Sequence, residues 1–188
     1  MLNKLSTSIL QRQIDKYLEK TARKKAFLNF VDVHTVLLFF EVDETDNDTD
    51  IRRMIATLKI ENKIVKAYVY TKFKDSVLQT NEDYIVLHKK DFNCFHKPNK
   101  QLIASLTAQP YDLVMDLSMQ SIIAINYLLL YAQAIFKTGL KKSDLNLYDF
   151  AIDLDSYLEE NETNIKQLGS SFIFEQLIFY MKNIHSKD

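Results

Sequence analysis

The sequence predicts an α/β fold: an open, mostly parallel, doubly wound sheet preceded by a basic N-terminal helix. Three observations carry this expectation. Thr35 to Val42 is a continuous run of strand formers, the mark of a strand covered on both faces. Ile51, Met54, Ile55 and Leu58 then fall at i, i+3, i+4 and i+7, which places one apolar stripe on a helix. A second strand run, Ile64 to Tyr70, follows, and a strand–helix–strand unit of this kind is nearly always a right-handed crossover between parallel strands.

Taken in order, Leu5 to Phe27 has helical spacing with no glycine or proline to interrupt it, and reads as a basic, weakly amphipathic helix. Asp48 or Thr49 is placed to cap the helix that carries Ile51 to Leu58. Tyr84 to His88 is a candidate third strand, Lys89 to Pro98 an irregular segment, and Lys100 to Thr107 a short helix ended near Pro110. Tyr111 to Leu117 reads as a strand leading directly into an apolar helix from Ser121 to Ala134. Ile135 to Leu140 and Tyr148 to Leu154 are two further short strands, and Asn164 to Ile184 a closing helix. The division expected is a basic helix over 1–28 and one Rossmann-like α/β domain over 29–188, with Asn29 as the only candidate hinge.

Length and composition agree with one core. The chain has 188 residues, 47% of them apolar and 12% aromatic. A domain of this size buries roughly 70% of its unfolded surface. The net charge of −1 argues against a protein that coats nucleic acid over its whole surface. The charge is segregated, however. Lys4, Arg12, Lys16, Lys20, Arg23, Lys24 and Lys25 crowd the first 30 residues, whereas 41–50 hold Glu41, Asp43, Glu44, Asp46, Asp48 and Asp50 with no base. A lone Cys94 and polar residues where a signal peptide needs an apolar run point to the reducing cytoplasm. The most apolar stretch, Ile122 to Phe136, is broken by Asn126 and Gln133 and reads as a buried helix rather than a transmembrane segment.

Doubly wound folds bind ligands outside the carboxyl ends of their strands, and the first strand-to-helix loop commonly uses glycine to bring backbone N–H groups to a phosphate. Here that loop is Asp43 to Asp50, without glycine. The chain has only Gly139 and Gly169, so it holds neither a P-loop nor a dinucleotide fingerprint, and no cofactor is expected. Asp43 and Asp46, with Asp116 at the end of another strand, form a candidate Mg²⁺ site, against the plainer reading of acids that favour the next helix N-terminus. Cys94 and His96 read as structural residues, since the other histidines lack paired metal-ligand spacing. Lys16, Lys20, Arg23, Lys24 and Lys25 form the candidate partner surface, suited to RNA phosphates, a ribonucleoprotein, a protein complex or an anionic membrane. The apolar helices 121–134 and 170–184 are candidates for burial or for self-association.

The segment Tyr111-Asp-Leu-Val-Met-Asp-Leu-Ser118, an apolar helix, and Ala134-Ile-Phe-Lys-Thr-Gly139 together resemble an uncharacterised family of short bacterial α/β proteins. Phe92 to Pro98 is also similar to that family. The same strand–helix–turn pattern is similar to the N-terminal half of heptosyltransferase-like glycosyltransferases, which implies a fold and no activity. The function expected is therefore a non-catalytic binding or adaptor protein presenting its basic helix to an anionic or protein partner. The alternative is a small divalent-cation-dependent or degenerate glycosyltransferase-like enzyme using carboxylates at the strand ends.

Overall fold

Strand β1 (Thr35–Glu41) is apolar throughout because both of its faces are covered. In the computed structural model, which describes residues 2–20, 23, 25–44, 46–74, 76–142, 145–161 and 165–184 (side chains of 2–4, 18, 20, 156 and 165–167 excepted), β1 lies inside a six-stranded sheet. The other strands are β2 (Ile64–Tyr70), β3 (Ile85–Leu87), β4 (Tyr111–Asp116), β5 (Ala134–Leu140) and β6 (Phe150–Ile152). Their spatial order is β3-β2-β1-β4-β5-β6, and every pairing is parallel, so the expected mostly parallel sheet is parallel throughout.

Alternation along β1 assigns the two layers. Val36, Leu38 and Phe40 pack with α2 (Thr49–Ile60) and α6 (Ile165–Asn183) through Ile51, Met54, Ile55, Leu58, Ile173 and Leu177. Leu37 and Phe39 point the other way, into a core shared with α1 (Leu2–Lys20), α3 (Lys100–Thr107) and α4 (Ile123–Tyr131). Every residue of α4 from Ala124 to Leu130 is buried. A helix apolar on all sides needs a cover on all sides, and α1 supplies the outermost one: Leu10 and Ile14 are 0% and 1% exposed in the core shared with α4. The basic helix is thus part of the packing, and α4 is buried beneath it and beside α3.

Three boundaries differ from expectation. The first helix is described over Leu2–Lys20, and residues 23 and 25–29, part of which were expected to extend it to Phe27, are irregular ahead of a single 3₁₀ turn, Phe30–Asp32. A short helix, α5 (Asp155–Glu160), follows β6, in a segment where the sequence reading placed no element; the Asp153 carboxylate accepts from the backbone N–H of Asp155 at 3.1 Å and turns the chain into it. Helix α6 is broken at Gly169, whose φ of 73° and ψ of 165° are far from helical. A Cβ there would touch nothing, so glycine is required for its backbone angle and not for space.

Candidate functional site

The strand order reverses between β1 and β4. The helix after β1, α2, runs along one face of the sheet, and the helix after β4, α4, runs along the other. Such a divergence leaves a crevice above the carboxyl ends of the two strands. Glu41, the last residue of β1, stands in it.

Two cavities meet over Glu41. One, of about 610 Å³, opens toward α1 and α4 and is lined by Leu10, Gln11, Glu41, Tyr70, Lys72, His96, Gln120, Ile122, Ile123, Asn126 and Leu145, among others. The second, of about 540 Å³, lies toward α2 and the α6 kink, against Glu41, Asp43, Asp46, Asp50, Lys72, Gln120, Gly169 and Ser170. Glu41, Lys72 and Gln120 line both. Both volumes fall within the range usual for small-molecule sites.

Local structure aims the walls of the larger cavity. Asn93 folds the segment after β3 by accepting from the N–H groups of Phe95 (2.9 Å) and Lys97 (3.0 Å) through its side-chain oxygen. Phe92 and Pro98 close that turn as an antiparallel bridge, and His96 takes a left-handed φ of 62° at its tip. Tyr70, paired in register with Glu41, is held edge-on against Phe92 with ring centroids 5.5 Å apart. Burial lowers the His96 pKa, and nearby Lys89 adds to this, so the imidazole is neutral at pH 7. Burial raises the Glu41 carboxyl first, and Asp43 raises it further, against smaller opposing pulls from Lys72 and Lys142. No hydrogen bond or ion pair among the described residues holds the Glu41 carboxylate. A half-buried carboxylate without a partner, inside a cavity at the switch point, is the feature that marks this crevice.

Asp116, at the end of β4, does something else. It is fully buried, and both of its oxygens are occupied. Oδ1 accepts from the Ser118 N–H (3.0 Å) and hydroxyl (2.6 Å), while Oδ2 accepts from Lys142 Nζ and the Tyr148 hydroxyl, each at 2.6 Å. The Lys142 side chain is 5% exposed and also donates to the Ser118 carbonyl at 2.8 Å. Burial, with Asp116 adding to it, pushes the Tyr148 phenol far above its ordinary range, so it remains a donor. The cluster pins the chain after β5 to the end of β4. Gly139 permits this approach: a Cβ there would lie 2.8 Å from the Tyr148 ring and 3.2 Å from the Asp116 Cβ.

The candidate Mg²⁺ ligands are therefore not brought together. Asp43 and Asp46 lie in the loop after β1, where an Asp46 oxygen accepts from the Asp43 N–H at 2.7 Å and Asp43 stands 3.8 Å from Lys72. Asp116 lines neither cavity, and its neutralising cation is Lys142. No group of three His, Cys, Asp or Glu side chains among the described residues is placed to hold a metal.

The candidate partner surface also divides. Arg23 is turned inward: its Nη2 engages both oxygens of Asp149, and its Nη1 donates to the Ala134 carbonyl at 3.0 Å. Lys25 reaches the same carboxylate at 3.2 Å with its side chain half exposed. Lys16 faces solvent, as do Arg12, Asp15 and Glu19, so the described outer face of α1 carries both signs. Lys24 and the side chain of Lys20 lie outside the described residues. Cys94 is exposed and lines neither cavity, whereas His96 lines the larger one.

The two segments Asp116-Leu-Ser118 and Ala134 to Gly139 lie side by side, with β4 and β5 paired and Gly139 passing close to Asp116. Residues 7–169 match the model of a family described as a family of unknown function (DUF6913). The chain belongs to DUF6913. No curated protein and no solved structure matches it. The DUF6913 match starts within α1 and ends at the α6 kink, so it takes in all six strands and Glu41.

Sequence reading missed Glu41, Tyr70, Lys72, His96, Gln120 and Asn126 as a set, because the loop between 71 and 99 and the start of α4 converge only in three dimensions. One signal was present for Glu41. It is a charged residue closing an otherwise apolar strand, at the end where doubly wound sheets bind ligands.

Proposed function

We propose that this DUF6913 chain is a non-catalytic binding protein whose ligand site is the crevice above β1 and β4. The observation that carries this is Glu41, half-buried and without a partner among the described residues, shared by two cavities at the point where the strand order reverses. Unpaired ionisable groups in clefts cost folding energy and are concentrated at functional sites. Fold-level likeness to half of a heptosyltransferase-like enzyme, a bacterial source and a cytoplasmic location belong to this proposal as well. Among the described residues no helix is long and apolar enough to cross a membrane.

A second reading keeps the basic helix as the contact surface for an anionic partner, and the exposure of Arg12, Lys16 and Lys25 favours it. Truncating the chain before β1 is not a clean test of it, because Leu10 and Ile14 are core residues. Backbone amide shift mapping of the ¹⁵N-labelled full chain distinguishes the two. Fragments from a chemically mixed library are expected to move Glu41, Lys72 and Gln120 together. Fragments that move no crevice residue, with a short RNA moving Arg12 and Lys16 instead, would replace the first reading with the second.

A further inference from the structure

Glu41 needs a partner that the described chain does not supply. Lys72, the cation nearest the crevice, is directed elsewhere: its ammonium lies 3.8 Å from Asp43 and 5.0 Å from the centre of the Phe73 ring. His96 is neutral at pH 7 and brings no charge. On the α1–α4 side the lining beside Glu41 carries the apolar side chains of Leu10, Ile122, Ile123 and Leu145 among the neutral polar ones of Thr7, Gln11, Ser121 and Asn126. Leu10 is fixed there as a core residue of α1, so this wall is built rather than incidental.

These features specify a ligand by charge and by shape. An anion entering the cavity would meet the Glu41 carboxylate, with Lys72 of the lining already set against Asp43, and a fully polar molecule would leave the apolar side chains unmatched. A hard metal ion favours clustered carboxylates, and no group of three His, Cys, Asp or Glu side chains among the described residues is placed to hold one. What remains is a cationic head against the carboxylate and a hydrocarbon body against the wall, in a cavity of about 610 Å³.

We infer that the α1–α4 side of the crevice binds an organic monocation, an amine carried on an apolar body, with Glu41 as its counter-ion; this rests on the crevice being the ligand site. The ammonium donates to the Glu41 carboxylate, and the body lies along the half-buried Ile122, Ile123 and Leu145. The acidic loop from Asp43 to Asp50 faces the neighbouring cavity and adds a field that attracts cations without contacting the ligand.

Three probes with one body and different heads test the inference: 4-phenylbutylamine, 4-phenylbutanol and 5-phenylvalerate, each titrated into the labelled full chain and into its Glu41→Gln variant. The amine is expected to bind most tightly, to move Leu10, Glu41 and Asn126, and to lose tenfold or more in affinity in Glu41→Gln. A melting temperature in that variant no lower than that of the wild type establishes that the loss is local, since removing an unpaired carboxylate does not weaken the fold. If the alcohol or the valerate binds in the crevice as well as the amine, or if Glu41→Gln leaves amine affinity unchanged, the amine assignment is wrong and the crevice stands. If none of the three binds at millimolar concentration, the amine assignment is likewise wrong. If binding maps away from the crevice altogether, both fall.

Discussion

Replacing Asp116 with alanine is expected to destabilise the protein by about 3–5 kcal/mol, the loss typical of leaving one member of a buried ion pair without its partner. The magnitude follows from what remains behind. Lys142 is left without its carboxylate partner in a site where 5% of its side chain meets solvent, and the Tyr148 and Ser118 hydroxyls lose their shared acceptor. For a chain of this length that corresponds to a fall in melting temperature of roughly 6–20 °C. Urea unfolding of the single variants and of Asp116→Ala/Lys142→Met measures it. The double variant is expected to recover much of the loss, because the stranded charge is gone. A cost below about 1 kcal/mol for Asp116→Ala would mean that Lys142 finds water, against the burial described here.

The second large effect is a dependence of stability on pH set by Lys137. Its side chain is buried beneath β5, where Nζ donates to the carbonyl of Leu129 near the end of α4. Burial is the main cause that pushes its pKa down to about 7, and the charges of Arg23 and Lys25 add to this, against the opposing attraction of Asp149. In the unfolded chain the same amine titrates near 10.4. Between these values the unfolded chain carries a proton that the folded chain does not, so stability rises with pH across that window and is flat in this group below about 7. Lys137→Met is expected to be more stable than the wild type at pH 7, with the difference shrinking toward pH 9.5. Part of the gain is offset because the Leu129 carbonyl loses its donor. Melting temperatures of both proteins across that range are the check, and a difference that does not change with pH would contradict the assignment.

The elements that could be read from the sequence are those whose pattern is local. The run Thr35 to Val42 declares a strand covered on both faces, and the stripe Ile51 to Leu58 declares one buried face, without reference to the rest of the chain. The all-round apolarity of α4 announced burial, but nothing in its own residues says that α1 covers it. For that reason a helix rich in lysine and arginine looked like a free surface until Leu10 and Ile14 were seen in the core. Arg23 looked the same, because its carboxylate partner lies at Asp149, on the far side of the chain in sequence. Asp116 was correctly placed at a strand end and wrongly grouped with Asp43 and Asp46, since the cation that neutralises it, Lys142, comes from the segment after β5. The crevice was legible in outline only: the switch point followed from topology, but its walls come from segments near residues 41, 70, 96 and 120 that share no spacing.

The most direct measurement is a ¹³C NMR titration of the Glu41 side-chain carboxyl, assigned by its loss in Glu41→Gln, in the free protein and with 4-phenylbutylamine present. In the free protein the carboxyl should titrate above the ordinary glutamate range, raised first by burial and then by Asp43, and a bound ammonium should draw it back down. A carboxyl that titrates at or below the ordinary range in the free protein would show that Glu41 already has a partner within the chain, and the crevice would lose the feature that marks it as a site.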